Sequence, residues 1–368
     1  MHSTLTINVP NIIRNYKSIR EYVGEDVNVA CVVKCDCYGL GMEQIALKIF
    51  NGGCKEFYVS ELREGLHLRG LLPTAKIYVL HGIEHGQEME FLDAKLIPVL
   101  NNLYQIKIWT EVSKKIEKRL ECSLHIDSGM MRIGIDCHIA EDVLNSILSE
   151  DTLEICYVLS HLACADDIDN KKNKLQLEFV ESLKKKYPKL KYSFSNSAGI
   201  LLGKEYHFDQ VRPGIMLYGV SPYNGKSEAL PINLLPVVRL ISKIIDIHGV
   251  IDKNMQQSIG YGATFKLEPG MTTATIPVGY GDGYARALSN QGYCYINGNR
   301  VNIIGNISMD LISIDISTIP AIDQRIGQEV ELIGGSISIG EIANLAKTIS
   351  HEILTSLGKR YARIYSGD

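Results

Sequence analysis

Eight short runs of β-branched, aromatic and aliphatic residues, most of them followed by a longer amphipathic stretch, constrain this chain more than any other feature. They lie at 28–33, 55–59, 76–80, 95–99, 122–126, 154–159, 190–194 and 209–211. Between them apolar residues recur at helical spacing, as at 42–51, closed by Gly52 and Gly53, and at 170–186, rich in Lys and Leu. Strands alternating with helices build a parallel sheet that those helices cover. Eight such units over about 200 residues is what a (β/α)8 barrel of the TIM type requires. An open doubly wound sheet is the alternative, but nothing in that architecture stops the count at eight.

The grammar changes after about residue 230. LLPVVRLISKIIDIHGVI, TTATIPVGY, GYCYINGNRVNIIGNISMDLISIDIS and QEVELIGG read as strands parted by Gly, Asn and Asp turns, and only 339–348 has helical spacing. The expectation is α/β plus β. A barrel domain spans 1–231, a linker lies near Pro231 to Pro236, and a mainly β domain spans 232–368, which the first residues of the chain are free to join. A net charge of −4 argues against nucleic acid or an anionic membrane as the main partner and favours a small molecule. No run of about 18 apolar residues predicts a membrane span, and the N-terminus lacks the features of a signal peptide. Nine scattered cysteines suit free thiols in a reducing cytoplasm. Cys31, Cys35 and Cys37 are close together, but no second pair stands at zinc-ligand spacing, so no metal is expected.

In such a barrel the active site forms at the C-terminal ends of the strands. Lys34 follows directly on the first run, in VVKCDCYGLG. A lysine there is poorly solvated, and desolvation favours its neutral, nucleophilic form; an ordinary salt-bridged lysine is the alternative. The fifth run leads to Arg132 in HIDSGMMRIG and the sixth to His161 in SHLACADD. The seventh leads to Asn196 and Ser197, and the eighth to Arg212 in VRPGIMLYG, followed by Gly214 and Ile215. Barrels often hold phosphate with the loops after strands seven and eight, where backbone N–H groups point outward. Ser197, Gly214 and Ile215 suit that role, and Tyr38 adds a phenol donor. A phosphate at one edge and a nucleophilic lysine at another suggest a phosphate-bearing aldehyde, of which pyridoxal phosphate (PLP) is the commonest.

The same residues carry a resemblance. VVKCDCYGLG is similar to the PLP-lysine motif of the bacterial alanine racemase family, usually close to VVKANAYGHG. DSGMMRIG, NSAGIL, VRPGIMLYGVSP, SIGYGATF, PVGYGDGYARALSN and ISMDLISID resemble further motifs of that family, in order and at similar spacing. The resemblance implies a PLP-dependent enzyme that interconverts L- and D-alanine and supplies D-alanine for peptidoglycan. It implies a barrel, a C-terminal β domain, and a homodimer with composite active sites. Lys34 would carry the cofactor, with Tyr38, Ser197, Gly214, Ile215 and Tyr361 at its phosphate. Arg212 would meet the ring nitrogen, with His161 and Asn196 in the same cofactor-binding set, and Arg132 the phenolic oxygen and the substrate carboxylate. Tyr261 would be the second catalytic residue, arriving from the other subunit with Tyr280, Met309 and Asp310, which shape the substrate pocket.

Racemisation removes the Cα proton from one face and returns one to the other, so two acid/base groups must face each other across the substrate. Lys34 and Tyr261 supply them. A phenol is a poor base at neutral pH unless its surroundings favour the anion, and a cationic network of His161 and Arg212 is expected to do so. The family often has a carbamylated lysine seven residues before the arginine of the Arg132 motif; here His125 stands in its place. The rival readings are a PLP-dependent decarboxylase, a racemase that prefers serine, and a non-catalytic PLP-binding protein. Other features read blandly. GYGDGY at 279–284 is a tight turn presenting Tyr280, the lysines at 184–186 end a solvated helix, and Trp109 is a packing residue.

Overall fold

The eight runs form one parallel sheet in a computed structural model that describes residues 3–223, 230–249 and 257–367. The first run is divided at Ala30. Asn28–Val29 pairs with Gln210–Val211, and Cys31–Val32 pairs with Glu56–Val59. The Ala30 and Val32 N–H groups donate to the carbonyls of Val211 and Pro213, and that of Val33 to the carbonyl of Tyr58. One strand thus bonds the eighth strand and then the second, which brings the sheet round on itself as a barrel and excludes the open alternative.

The helices obey the spacing that predicted them. Met42–Asn51 buries Met42, Ile45, Ala46 and Ile49, one face of a 3.6-residue repeat. Lys171–Lys186 starts at Asn170, whose side chain accepts from the Lys172 N–H, and ends on three lysines beside its negative dipole terminus. Trp109 is buried, with its Nε1–H on the Glu121 carbonyl. One strand beside the barrel was not foreseen: Ile135–Asp136 pairs with Ile126–Asp127 beyond the barrel ladder.

By contact density the chain divides into two units. One comprises Ile13–Leu217 and Glu228–Asn233; the other comprises Met1–Ile12, Tyr218–Ser227 and Leu234–Asp368. The second unit is built on a nine-stranded sheet. Its strands run in the spatial order Asp246–Gly249, Thr272–Ile276, Ile312–Asp315, Asn299–Ile304, Tyr293–Ile296, Glu329–Ile333, Val238–Lys243, Thr4–Asn8 and Ala362–Ser366. Neighbours are antiparallel except the last two, which are parallel. Residues 250 and 251 of the first β run lie outside the described residues.

The helix expected over 339–348 spans Ile339–Leu345, opened by a reciprocal cap between Ser338 and Glu341. A second helix, Ser350–Ser356, escaped the sequence reading because its seven residues bury only Ser350, Ile353 and Leu354, too few to show a period. Among the described residues no helix is long and apolar enough to cross a membrane.

Leu5 is fully buried in this sheet, opposite Leu240 on one side and Arg363 on the other. Leu5→Ala is expected to lower unfolding free energy by about 2–5 kcal/mol, the range for a leucine truncated in a core. Urea denaturation reads this directly, and a loss below about 1 kcal/mol would show that the N-terminal strand adds little to the β core.

Candidate functional site at the barrel rim

Lys34 opens a turn of unusual hand. The four residues after it, Cys35, Asp36, Cys37 and Tyr38, have φ of 51°, 54°, 54° and 57°. A left-handed residue with a Cβ costs about 1–2 kcal/mol, so four in succession persist only where contacts over-determine them. The contacts are present. Glu64, on helix Leu62–Leu71, accepts the Cys35 N–H at 2.6 Å and the Ser60 N–H at 2.7 Å. Asp36 accepts the Met42 N–H at 2.6 Å, and its carbonyl takes the Gly41 N–H at 2.9 Å. The turn leaves Lys34 half-buried at the strand end and turns Tyr38 inward, where burial pushes the phenol well above its ordinary range and keeps it a neutral donor.

Tyr38 meets the loops after strands seven and eight. The Gly214 N–H donates to Ser197 Oγ at 2.9 Å and the Met216 N–H to the same oxygen at 3.4 Å. A Cβ on Gly214 would lie 2.1 Å from the Tyr38 hydroxyl oxygen, so only glycine admits this approach. The result is a cradle of hydroxyl and backbone donors, with Ile215 opening the short helix Ile215–Tyr218 beside it. Such a donor set suits a phosphate.

Arg212 is 5% exposed. Its Nη1 donates to Ser193 Oγ at 2.6 Å and its Nη2 to the Ser160 carbonyl at 2.7 Å, with the Phe194 carbonyl at 3.4 Å. Among the described residues no carboxylate lies within ion-pair reach of it, and its Nε is bonded to none of them. Arg212 is therefore not the partner of a neighbouring acid. His161 Nδ1 lies 3.4 Å from Nη2, and Asn196 Nδ2 lies 3.5 Å from His161 Nε2. Asn196 also caps the helix Ser197–Ile200 by accepting the Gly199 N–H.

The two histidines here are neutral. Burial holds the His161 imidazole well below its ordinary value, and the charges of Arg212, Arg132 and Lys34 act in the same direction. The expected cationic pair of His161 and Arg212 is thus corrected: the positive charge is that of Arg212 alone. His125 is held to about 4, by burial first and then by Arg212, while Asp127 opposes and Arg132 adds to the shift. Asn101 donates from Nδ2 to the carbonyls of Leu80 and Val99, so its amide oxygen faces His125 Nδ1 at 2.9 Å. His125 consequently carries its proton on Nδ1 and leaves Nε2 an acceptor.

Arg132 is exposed on the loop after the fifth strand. Asp127 shapes that loop: its two carboxylate oxygens accept the N–H groups of Gly129, Met130 and Met131, each at 2.7 Å. Gln176 braces the neighbouring loop, donating to the His161 carbonyl and to Ser128 Oγ.

Within the β unit a second cluster forms. The Tyr280 N–H donates to the Ser308 carbonyl, the Gly281 N–H to the Met309 carbonyl, and Asn306 Nδ2 to the Tyr261 carbonyl at 2.8 Å. Arg360 bridges Asp310 at 2.8 Å and Asp282 at 3.1 Å. Tyr261, Tyr280 and Met309 are 76%, 43% and 53% exposed, large side chains held out to solvent by a pinned backbone. Tyr361 differs: it is buried in the β unit, and its hydroxyl is bonded to none of the described residues.

A parallel barrel with its polar residues gathered at the C-terminal rim, followed in the chain by a mainly β unit, defines a class of two-unit barrel proteins. Comparison with known proteins gives the family. Residues 7–222 match the alanine racemase N-terminal domain and residues 237–365 the alanine racemase C-terminal domain. The alanine racemase of Rickettsia canadensis is 39% identical over 364 residues, 99% of each chain. The crystal structure of alanine racemase from Bartonella henselae with covalently bound pyridoxal phosphate superposes with a TM-score of 0.93 at 36% identity, covering 99% of both chains. That of alanine racemase from Bacillus anthracis with bound L-Ala-P gives 0.86 at 29%, covering 100% of this chain and 95% of that one. The chain belongs to the alanine racemase family.

Glu64, Asp127, Asn101, Gln176 and Ser193 were missed by sequence reasoning. Asp127 alone had a signal, since Asp-Ser-Gly after an apolar run is an Asx-turn pattern. The unfolded chain binds more protons than the folded one wherever His125 and His161 are neutral only in the fold. The contribution of His125 is therefore fully present above about pH 6.5 and is lost as pH falls towards about 4, and that of His161 has the same sign. We expect His125→Asn to lose about 2 kcal/mol less than the parent between pH 7 and pH 5, by urea unfolding. Equal losses in the two proteins would show that His125 titrates normally.

Proposed function

We propose that the chain is an alanine racemase that interconverts L- and D-alanine with pyridoxal phosphate. The observation that carries this reading is the convergence at one barrel rim of Lys34, the Tyr38–Ser197–Gly214 donor cradle and a buried Arg212 with an unbonded Nε. Lys34 Nζ would hold the cofactor covalently, and Tyr38, Ser197, Gly214 and Ile215 would bind its phosphate. PLP supplies an electron sink for the charge left when Cα loses its proton.

The chain's own residues do the rest. Arg212 donates N–H groups and keeps its own proton, so it binds a ring nitrogen as an acceptor without protonating it. Arg132 supplies a fork-shaped donor for the substrate carboxylate. Lys34 Nζ, freed when the substrate's amine displaces it, would exchange the Cα proton on one face and Tyr261 Oη on the other. His161, neutral and beside Arg212, would with Asn196 help to hold the cofactor. Tyr261 and the neighbouring Tyr280, Met309 and Asp310 act in a partner subunit's site, so the active species is a homodimer. Their exposure on a pinned surface supports this, whereas Tyr361 has the environment of a packing residue. Nine free thiols accord with a cytoplasmic enzyme feeding D-alanine to peptidoglycan.

The holoenzyme incubated with L-alanine, and separately with L-serine, should form D-alanine faster than D-serine by chiral chromatography, and Lys34→Ala should form neither. Release of carbon dioxide without a D-enantiomer would transfer the function to a decarboxylase. In heavy water Tyr261→Phe should exchange the Cα proton of one alanine enantiomer at least about a hundredfold more slowly than the parent, the low end for a lost acid/base group. Near-parental exchange of both enantiomers would remove Tyr261 from the two-base scheme.

A further inference from the structure

Arg212 is one end of a hydrogen-bonded chain that runs through the barrel interior. Its Nη1 donates to Ser193 Oγ at 2.6 Å, and Ser193 Oγ donates to Gln210 Oε1 at 2.8 Å. Gln210 Nε2 donates to Glu56 Oε2 at 2.7 Å. Tyr58 donates to the same Gln210 oxygen at 2.7 Å, and Tyr78 to Glu56 Oε2 at 3.2 Å. Each link is on a barrel strand: Glu56 and Tyr58 on the second, Tyr78 on the third, Ser193 on the seventh and Gln210 on the eighth. Ser193, Gln210 and Tyr58 are buried from solvent.

The two ends of the chain set its polarity. A guanidinium can only donate and a carboxylate can only accept. Ser193 Oγ takes the arginine N–H and has two acceptors for its own hydrogen, the Gln210 side-chain oxygen at 2.8 Å and the more distant Gln210 backbone carbonyl at 3.3 Å. The Gln210 amide must then turn its NH2 to Glu56. With the amide flipped, its oxygen would face a carboxylate oxygen, and its NH2 would face Ser193 and Tyr58. Glu56 thus selects the Gln210 orientation in which the Ser193 hydroxyl is held by the nearer side-chain oxygen, with its lone pairs turned to Arg212. Burial raises the Glu56 carboxyl, while Tyr78, Lys76, Tyr157 and Lys191, which face it from the neighbouring elements, all act to keep it ionised.

We propose that Glu56 is a positioning residue for Arg212, acting through Gln210 and Ser193 to fix the guanidinium with its Nε directed to the site. This rests on the reading above that Arg212 meets the cofactor's ring nitrogen. A carboxylate in direct contact would balance the buried charge but occupy the donors; set two residues away, it leaves Nε for the ligand.

The test compares Glu56→Gln, Ser193→Ala, their double variant and Arg212→Lys. Two quantities are read: PLP affinity, by titrating each apoprotein, and hydrogen exchange of the Arg212 guanidinium in the apoprotein, by NMR, for every variant that keeps the arginine. Ser113→Ala serves as a control for loss of stability alone, because that buried hydroxyl bonds the carbonyls of Lys118 and Thr152, outside the chain. Glu56→Gln and Ser193→Ala should each weaken PLP binding about tenfold, the scale of one hydrogen bond to a charge, and speed guanidinium exchange. The double variant should be no worse than the worse single one, because both cut one chain. Ser113→Ala should lower the melting temperature and change neither quantity.

Exchange unchanged in Glu56→Gln, or additive effects in the double variant, overturns the proposal. Should Glu56→Gln not fold, Gln210→Met cuts the next link and is judged identically. If Arg212→Lys binds PLP as tightly as the parent, the reading of Arg212 at the ring nitrogen fails, and the exchange measurement alone decides the relay.

Discussion

The barrel depends on one strand bonding two neighbours in succession. Residues 28–33 pair with the eighth strand through Asn28–Val29 and with the second through Cys31–Val32, so the ladder changes partner at Ala30. Because all eight strands are parallel, this closure sets their C-terminal ends on one rim. Lys34 and Arg212, 178 residues apart in sequence (212 − 34), become neighbours by topology alone. The left-handed turn after Lys34 is the local counterpart of that closure. Glu64 and Asp36 hold it by accepting the N–H groups of Cys35 and Met42, which stand at the starts of this turn and of the next helix and have no partner within them.

Electrostatics at the rim follow from burial rather than from pairing. Arg212 is enclosed without a carboxylate in contact, and its charge, with those of Arg132 and Lys34, helps to keep His161 and His125 neutral. Each effect reinforces the other. A second cation in this enclosed space would raise the cost of the first, and neutral imidazoles supply acceptors instead. The Asn101 contact completes the arrangement by fixing which nitrogen of His125 carries the proton.

How much of this was legible in the sequence follows from the range of each interaction. Eight strands and their order were readable because periodicity is local, and the rim positions of Lys34, Arg132, His161, Ser197 and Arg212 were readable because each follows a run within a few residues. Ser193 and Gln210 were not, since a polar residue inside a short strand looks like an outward-facing one until the barrel says which side is in. Glu64 and Gln176 sit on helices, where surface glutamates and glutamines are ordinary. The helix Ser350–Ser356 failed for want of length. The neutral state of His161 was misread because charge depends on enclosure, which no spacing encodes.

The Arg212 chain shows how such invisible residues acquire a role. A buried guanidinium needs negative potential, yet a functional one must keep a donor available. Direct pairing with an acid meets the first need at the expense of the second. Ser193 and Gln210 separate the two requirements: the carboxylate of Glu56 stands at the second strand, and its influence reaches Arg212 as hydrogen-bond direction rather than as contact. Since the amide of Gln210 has unlike ends, the chain transmits orientation as well as potential. The guanidinium and the carboxylate at its ends set the direction of the chain, and the amide holds that direction by offering one face that only accepts and one that only donates. The glutamine at position 210, buried on the eighth strand, is therefore the element that couples the carboxylate to the serine and so to the arginine.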